Sequence, residues 1–280
     1  MDITARFAAR VIDAVRRVAA DEVLPRWRGA AALVKHDGSV VTEADYAAQE
    51  ALLARLAEIE GVPAIAEEMA AEAQRAVYEA APRYWCVDPI DGTRNFSAGV
   101  PFFAISVALV ERGRSLFGVV LDPVADEACH AILGGGAWLD DMPLKVPPVA
   151  PPLSRAVAEV SLRRDTARLR APLKHRAPYA KRLVSGSSAL SWCHLAAGRV
   201  DVLLHGGQKM WDYAAGALIL EEAGGSLCTL EHDDFWAAAP WSRSAIAARS
   251  PQLMDEWRTW IRRELGSDST QRHGNADEHG

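Results

Sequence analysis

Residues 85–96 read Trp-Cys-Val-Asp-Pro-Ile-Asp-Gly-Thr-Arg-Asn-Phe, and the reading of the whole chain depends on them. Residues 84–87 form an apolar run of the kind that makes a short buried strand, and a polar cluster begins where it ends. Asp88 and Asp91, leaving a strand, converge on one point if the Pro89–Ile90 link turns the chain. Repulsion between two such carboxylates has to be offset, and a divalent cation offsets it well. Hard oxygen donors favour Mg²⁺, with Mn²⁺ or Ca²⁺ competing, over zinc. Gly92 and Thr93 open a helix, where free backbone N–H groups suit a phosphate. Carboxylates for a cation beside an anion-binding helix start make the layout of metal-assisted phosphate chemistry. Taken alone, Asp-Pro-Ile-Asp-Gly-Thr is also an ordinary tight turn, because Asp, Pro and Gly are common turn formers.

The flanking sequence alternates helix and strand signals. Ile3, Phe7, Val11, Val15 and Val18 predict an amphipathic helix that ends near Leu24 and Pro25. Residues 34–41, with Asp37-Gly38 at their centre, predict a short hairpin or mobile loop. Thr42-Glu43-Ala44-Asp45 has capping-box spacing, and Leu52, Leu53, Leu56 and Ile59 continue that helix until Gly61 and Pro63 stop it. Residues 63–66 predict a brief strand that delivers Glu67 and Glu68, followed by an Ala/Glu-rich helix through Ala81. Three β-like runs between residues 104 and 133 predict an antiparallel meander. The Pro-rich stretch 147–152 marks the expected boundary between an N-terminal half, 1–146, and a C-terminal half, 153–265. In the second half, strands are expected at 156–162, 182–184, 200–204, 226–230 and 245–248. Helices are expected at 187–197, 211–223 and 252–265. The tail, 266–280, is expected to be disordered.

Composition removes several classes of protein. Of 280 residues, 50% are apolar and 24% charged, with a mean hydropathy of −0.04, so the chain is core-forming. No apolar run reaches the ~20 residues of a bilayer span. The N-terminus lacks the apolar core of a signal peptide, so a cytoplasmic location is expected. Lys plus Arg number 31 against 37 Asp plus Glu, for a net charge of −6. No basic run suggests a polyanion-binding surface, so neither nucleic acid nor membrane is an expected partner. Cys86, Cys129, Cys193 and Cys228 lack CxxC spacing and read as reduced, buried thiols. No nucleophile motif surrounds Ser187 or Cys193. Trp236, Trp241, Trp257 and Trp260 are expected in packing rather than in sugar stacking.

Several separated motifs agree in kind and order. Lys35, Asp37 and Val41-Thr42-Glu43-Ala44-Asp45 come first, then Ala66-Glu67-Glu68 and the 85–96 string. Trp211-Asp212-Tyr213-Ala214-Ala215-Gly216 and Glu221-Glu222-Ala223-Gly224-Gly225 follow. Together they resemble the inositol monophosphatase family of Mg²⁺-dependent, lithium-sensitive sugar and nucleotide phosphatases. The resemblance implies an α/β (α+β) fold, the layered α/β/α/β/α sandwich of the inositol monophosphatase and fructose-1,6-bisphosphatase type, and a homodimer. It implies two to three Mg²⁺ per subunit, with Mn²⁺ a substitute and Ca²⁺ and Li⁺ inhibitory. Glu67, Asp88 and the Ile90 carbonyl would hold the first metal, and Asp88, Asp91 and Asp212 the second. Glu67 would also touch a third. Glu67 and Thr93 would orient a metal-activated water, the Gly92 and Thr93 amides would hold phosphate oxygens, and Lys35 and Asp37 would sit on a mobile loop. The substrate would be a small phosphorylated metabolite, with Gly186, Ser187, Ser188 and His205 on its leaving-group side.

This chain departs from the family pattern in three places. Ala66 stands where glycine is usual, and would strain a turn that needed positive φ. Ser187-Ser188-Ala189 follows Gly186 where Thr or Ser and then Ala-Ala is common. One serine either meets substrate or caps a helix. His205 stands where inositol-hydrolysing members carry a glutamate; it reads either as altered specificity or as a surface histidine at a strand end. His205-Gly206-Gly207-Gln208-Lys209 reads as a glycine-rich loop with an exposed lysine. The expected activity is therefore an Mg²⁺-dependent phosphomonoesterase on a small sugar, polyol or nucleotide phosphate. A 3′-phosphonucleotide or fructose-1,6-bisphosphate phosphatase is the alternative within the class. A regulatory, partner-binding protein of the same fold is the alternative outside it.

Overall fold

The computed structural model describes residues 3–29, 31–35, 38–147, 149–162 and 164–271. Helix α1 (Ala5–Val18) continues through a π turn (Ala19–Val23) and a 3₁₀ turn (Leu24–Arg26). Its apolar stripe, Phe7, Val11, Val15 and Val18, is buried. Strands β1 (Leu33–Val34) and β2 (Val40–Val41) pair as an antiparallel hairpin. Helix α2 (Glu43–Ile59) starts at the expected cap, where Asp45 Oδ2 accepts from the Thr42 backbone N–H at 2.7 Å and its hydroxyl at 2.6 Å. There follow β3 (Ala64–Ala66), α3 (Ala71–Ala80), β4 (Arg83–Asp91), α4 (Thr93–Ser97), β5 (Ala104–Glu111), β6 (Arg114–Asp122) and β7 (Glu127–Ile132). Next come β8 (Gly136–Leu139), β9 (Met142–Leu144), β10 (Val157–Ser161), α5 (Arg170–Arg176), β11 (Lys181–Leu183) and α6 (Ser188–Ala196). The chain ends with β12 (Val202–Gln208), α7 (Met210–Glu222), β13 (Ser226–Cys228), β14 (Arg243–Ala248) and α8 (Pro251–Gln271).

The first sheet has seven strands in sequence order from β3 to β9, antiparallel except that β3 runs parallel to β4. The second has five strands in the order β11-β10-β12-β14-β13, mixed in direction. In β4, side chains alternate between two buried faces. Trp85 and Val87 join Phe7, Leu52 and Leu56 beneath α1 and α2, whereas Tyr84 and Cys86 join Trp192 and Leu218 beneath α6 and α7. The α6–α7 layer also packs on Leu203, Ala245 and Ala247 of the second sheet. Val202, Leu204 and Ile246 face the other way, against Trp257 and Ile261 of α8. The result is the expected five-layered α/β/α/β/α order. The middle layer is tight: a Cβ at Gly118 would stand 2.7 Å from Ala215 Cα, so α7 lies directly on β6.

Several expectations need correction. Strands β8 and β9 were not expected, because Gly134–Gly136 and Asp140–Asp141 read as turns; those turns instead join added edge strands. Helix α5 went unread because Pro172 lies within it, but Pro172 falls in the first turn, where its missing N–H costs little. The 205–208 segment is not a loop: it continues β12, with His205 paired to Ala245 and Gln208 to Arg243 across a register shift. Helix α8 runs past Leu265 to Gln271, because one glycine costs about 1 kcal/mol and does not end a helix; residues 272–280 lie outside the described residues. Finally, residues 163–182 do contain a basic run, eight Lys and Arg against one Asp, which the net charge of −6 concealed. All four cysteines are free and buried. Trp257 and Trp260 stack in the core of the second sheet, and Trp236 and Trp241 pack against the middle layer. No described helix is long and apolar enough to cross a membrane.

Candidate active site

The polar residues gather where β3, β4, α4, α6 and α7 meet. Asp88 and Asp91 are brought together by a register shift in β4. Asp88 pairs with Ser106 and Asp91 with Ala104, so the chain bulges between them. The bulge turns two carboxylates that alternation would separate toward one point. Asp212 enters from the first turn of α7, where its Oδ2 accepts from the Lys209 backbone N–H at 2.8 Å. One oxygen from each of Asp88, Asp91 and Asp212 lies within 4.8 Å of the others. Glu67 follows β3, with its N–H bonded to the Val87 carbonyl at 3.1 Å, and its side chain hydrogen-bonds to Asp88.

This crowding carries an electrostatic cost. Burial pushes Glu67 up to about 8, with the charges of Asp212 and Glu68 adding to the effect. Burial, and then Glu67, Asp91 and Asp212, pushes Asp88 well above the usual carboxylate range. Asp91 is raised by burial, although hydrogen bonds from Ser187, Ala189 and Ser188 restrain it. Lys35 bonds Glu68 at 2.6 Å; burial works to lower its pKa, but Glu68, Glu67 and Tyr46 together raise it. A hard divalent cation fits this donor set, since it would replace the missing positive charge among oxygen ligands.

Beside the carboxylates lies the start of α4. Gly92 has φ +96°, and a Cβ there would meet the Phe102 carbonyl oxygen at 3.0 Å and the Gly186 carbonyl oxygen at 3.4 Å. Only glycine allows these backbones to approach so closely in that conformation. The Thr93 hydroxyl bonds both the Ile90 carbonyl at 3.0 Å and Asp45 Oδ1 at 3.2 Å. Asp45 therefore caps α2 with one oxygen and orients Thr93 with the other. The sequence reading found only the cap.

On the opposite side, the N-terminus of α6 faces Asp91. The Ser187 hydroxyl donates to Asp91 Oδ2 in a short contact, and the Ala189 N–H donates to the same oxygen at 2.7 Å. Ser187 is also the N-cap of α6, since its hydroxyl accepts from Leu190 N–H at 3.2 Å. Gly186 is exposed and Ser188 half-buried. Asn95, absent from the expected set, donates to the Phe102 carbonyl at 2.7 Å and the Ser185 carbonyl at 2.8 Å, tying α4 to the turn before α6. Asp37 lies outside the described residues, while its neighbour Gly38 accepts from Arg94 at 2.9 Å. Ala66 is not among the positive-φ residues, so alanine causes no strain there. The surface reading of His205 is corrected: the residue is 5% exposed, and its Nδ1 accepts from the Gly207 N–H at 3.2 Å, which puts the ring proton on Nε2.

Five α/β layers thus surround buried carboxylates that could hold a metal ion beside a glycine-opened helix. The sequence model of the inositol monophosphatase family matches residues 5–266, and the chain belongs to that family. It is 34% identical to the Nus factor SuhB of Haemophilus influenzae over 200 residues, covering 66% of this chain and 69% of that one. It is 35% identical to inositol monophosphatase 2 of Solanum lycopersicum over 233 residues, covering 79% of this chain and 86% of that one. Among solved structures, an IMPase of Thermotoga maritima superposes with a TM-score of 0.78 at 28% identity, covering 95% of this chain and 99% of its own. The extragenic suppressor protein SuhB of Bartonella henselae does so with a TM-score of 0.76 at 26% identity, covering 94% and 99%.

Proposed function

We propose that this chain is an Mg²⁺-dependent phosphomonoesterase acting on a small sugar, polyol or nucleotide phosphate. The observation that carries this reading is the convergence of Asp88, Asp91 and Asp212 within 4.8 Å beside the Gly92–Thr93 helix start. Glu67, Asp88 and the Ile90 carbonyl would form one ligand group, and Asp88, Asp91 and Asp212 a second. Two to three Mg²⁺ in these groups would neutralise the phosphate dianion and make water a stronger nucleophile.

The remaining chemistry belongs to the side chains. Glu67, ionised once a cation is bound, would orient the attacking water and take up its proton. Thr93, aligned by Asp45, fixes the direction of that water. The amides of Gly92 and Thr93 hold the phosphate oxygens. The hydroxyl of Ser187 is committed to Asp91 and to its helix, so Ser188 is the serine that offers its hydroxyl to the leaving group, with the Gly186 backbone beside it. His205, standing where inositol-hydrolysing members carry a glutamate, would alter which leaving group is accepted. Lys35 is held at 2.6 Å by Glu68, the residue after Glu67. Val100, Phe102, Leu183 and Val184 are exposed and apolar beside the Asn95 tie, and they support a homodimer.

The test is phosphate release from inositol-1-phosphate, fructose-1,6-bisphosphate, histidinol phosphate and 3′-phosphoadenosine 5′-phosphate across an Mg²⁺ titration. Turnover that vanishes with EDTA and returns with Mg²⁺ supports the reading; turnover indifferent to EDTA sinks it. A second reading, partner binding in addition to catalysis, is favoured by the basic run at 163–182, where Arg168, Arg170, Lys174 and Lys181 are exposed. A labelled single-stranded RNA that binds the wild type and an Arg170→Gln/Lys174→Gln/Lys181→Gln variant equally well would remove that reading.

A further inference from the structure

A line of hydrogen bonds runs from a buried carboxylate on the second sheet to the acidic cluster. Glu159 on β10 is 5% exposed. Its Oε1 accepts from the Ser185 backbone N–H at 3.0 Å and from the Ser185 hydroxyl in a short contact. The Ser185 hydroxyl oxygen in turn accepts from the Ser187 N–H at 3.3 Å. The Ser191 hydroxyl donates to the Ser187 carbonyl at 2.8 Å, closing the turn from below. Ser187 then donates to Asp91 Oδ2, as Ala189 does at 2.7 Å. The links within residues 185–191 are local, whereas those to Glu159 and Asp91 span 26 and 96 residues of sequence.

We propose that Glu159 is a positioning residue: through Ser185 it fixes the 186–188 turn and the start of α6, which grip one oxygen of Asp91 and leave the other to the cation site. The charge of Glu159 opposes ionisation of Asp91, so electrostatic attraction is not its contribution. What it supplies is an acceptor at one place. A neutral acceptor of the same shape serves equally well, whereas an apolar residue of similar volume preserves packing and loses the link.

The kinetic part of the test rests on the phosphatase reading, but the structural part does not. Full-length wild type, Glu159→Gln, Glu159→Leu, Ser185→Ala and the Glu159→Leu/Ser185→Ala double variant are compared in two measurements. Amide hydrogen exchange follows peptides covering residues 185–191. Hydrolysis of p-nitrophenyl phosphate gives KM, kcat and the Mg²⁺ concentration for half-maximal rate. In Glu159→Leu and Ser185→Ala, protection falls and the Mg²⁺ requirement rises by about five- to tenfold, the effect of about one lost hydrogen bond. Glu159→Gln stays within about twofold of wild type, and the double variant is no worse than the poorer single, as expected for links in one chain. The proposal is overturned by unchanged protection, an unchanged Mg²⁺ requirement, a Gln variant as impaired as the Leu variant, or multiplying losses in the double. If Glu159→Leu does not fold, Ser185→Ala breaks the same line one residue further along. A wild type that releases no phosphate overturns the phosphatase reading instead, and the relay is then decided by exchange protection alone.

Discussion

Cation binding at this site should be coupled to proton release, and the size of the coupling follows from Glu67. With no cation present, burial and the neighbouring charges of Asp212 and Glu68 push its carboxyl up to about 8. At pH 7 such a group is about 90% protonated, and a carboxylate must be ionised to bind a hard cation. Filling the cation group that contains Glu67 therefore releases about one proton from Glu67 at pH 7, to which any proton from Asp88 adds. The apparent affinity should be about tenfold weaker at pH 7 than well above pH 8, a difference of about 1.4 kcal/mol. The sign for folding is opposite. Between the ordinary value of 4.5 and about 8, the cation-free folded protein holds a proton that the unfolded chain has lost, so its stability falls as pH rises through that window. Saturating Mg²⁺ should cancel the fall. Titration calorimetry at pH 7 in two buffers of different ionisation enthalpy measures the proton count directly. A buffer-independent enthalpy together with an affinity constant between pH 6.5 and 8.5 would refute the reasoning.

Three further outcomes are expected. Asp88→Asn and Asp212→Asn should each lower phosphate release by at least about a thousandfold while the circular dichroism spectrum is retained, because each removes an oxygen anion from the shared cluster. Asp45→Asn should lower kcat by about ten- to a hundredfold, through misdirection of Thr93, with a smaller loss of about 1 kcal/mol in urea stability from the weakened cap of α2. Gly118→Ala should destabilise by about 1–3 kcal/mol in urea melts, because its Cβ would meet Ala215 backbone at 2.7 Å and neither α7 nor β6 can move alone.

Much of this arrangement was legible in the order of residues. The helix after Gly92 and the cap at Thr42 rest on contacts between near neighbours, and the strand leading to Asp88 announces itself as an apolar run, so all three leave local patterns. What sequence reading lost was long-range. The second oxygen of Asp45 meets Thr93 at a separation of 48 residues, and nothing near Asp45 announces that partner. Glu159 lies 26 residues from Ser185 and looks, within its strand, like a charge due to face solvent. The glycines of 206–207 suggested a loop because propensity favours one there, and pairing of β12 with β14 overrode it. The basic run at 163–182 was hidden by averaging charge over the whole chain.

The placement of α6 and α7 has a further consequence. These helices are covered above by one sheet and below by the other, and from their first turns they deliver Asp212 and the grip on Asp91. Neither sheet can therefore be peeled away without stripping its neighbour's cover and scattering the acidic cluster in the same event. Heat or denaturant should take the whole molecule through a single cooperative step, with loss of the reactive centre as its first and last symptom. A fragment ending between the two sheets would keep Asp88 and Asp91, lose Asp212, and bare the face of the first sheet that α6 and α7 cover.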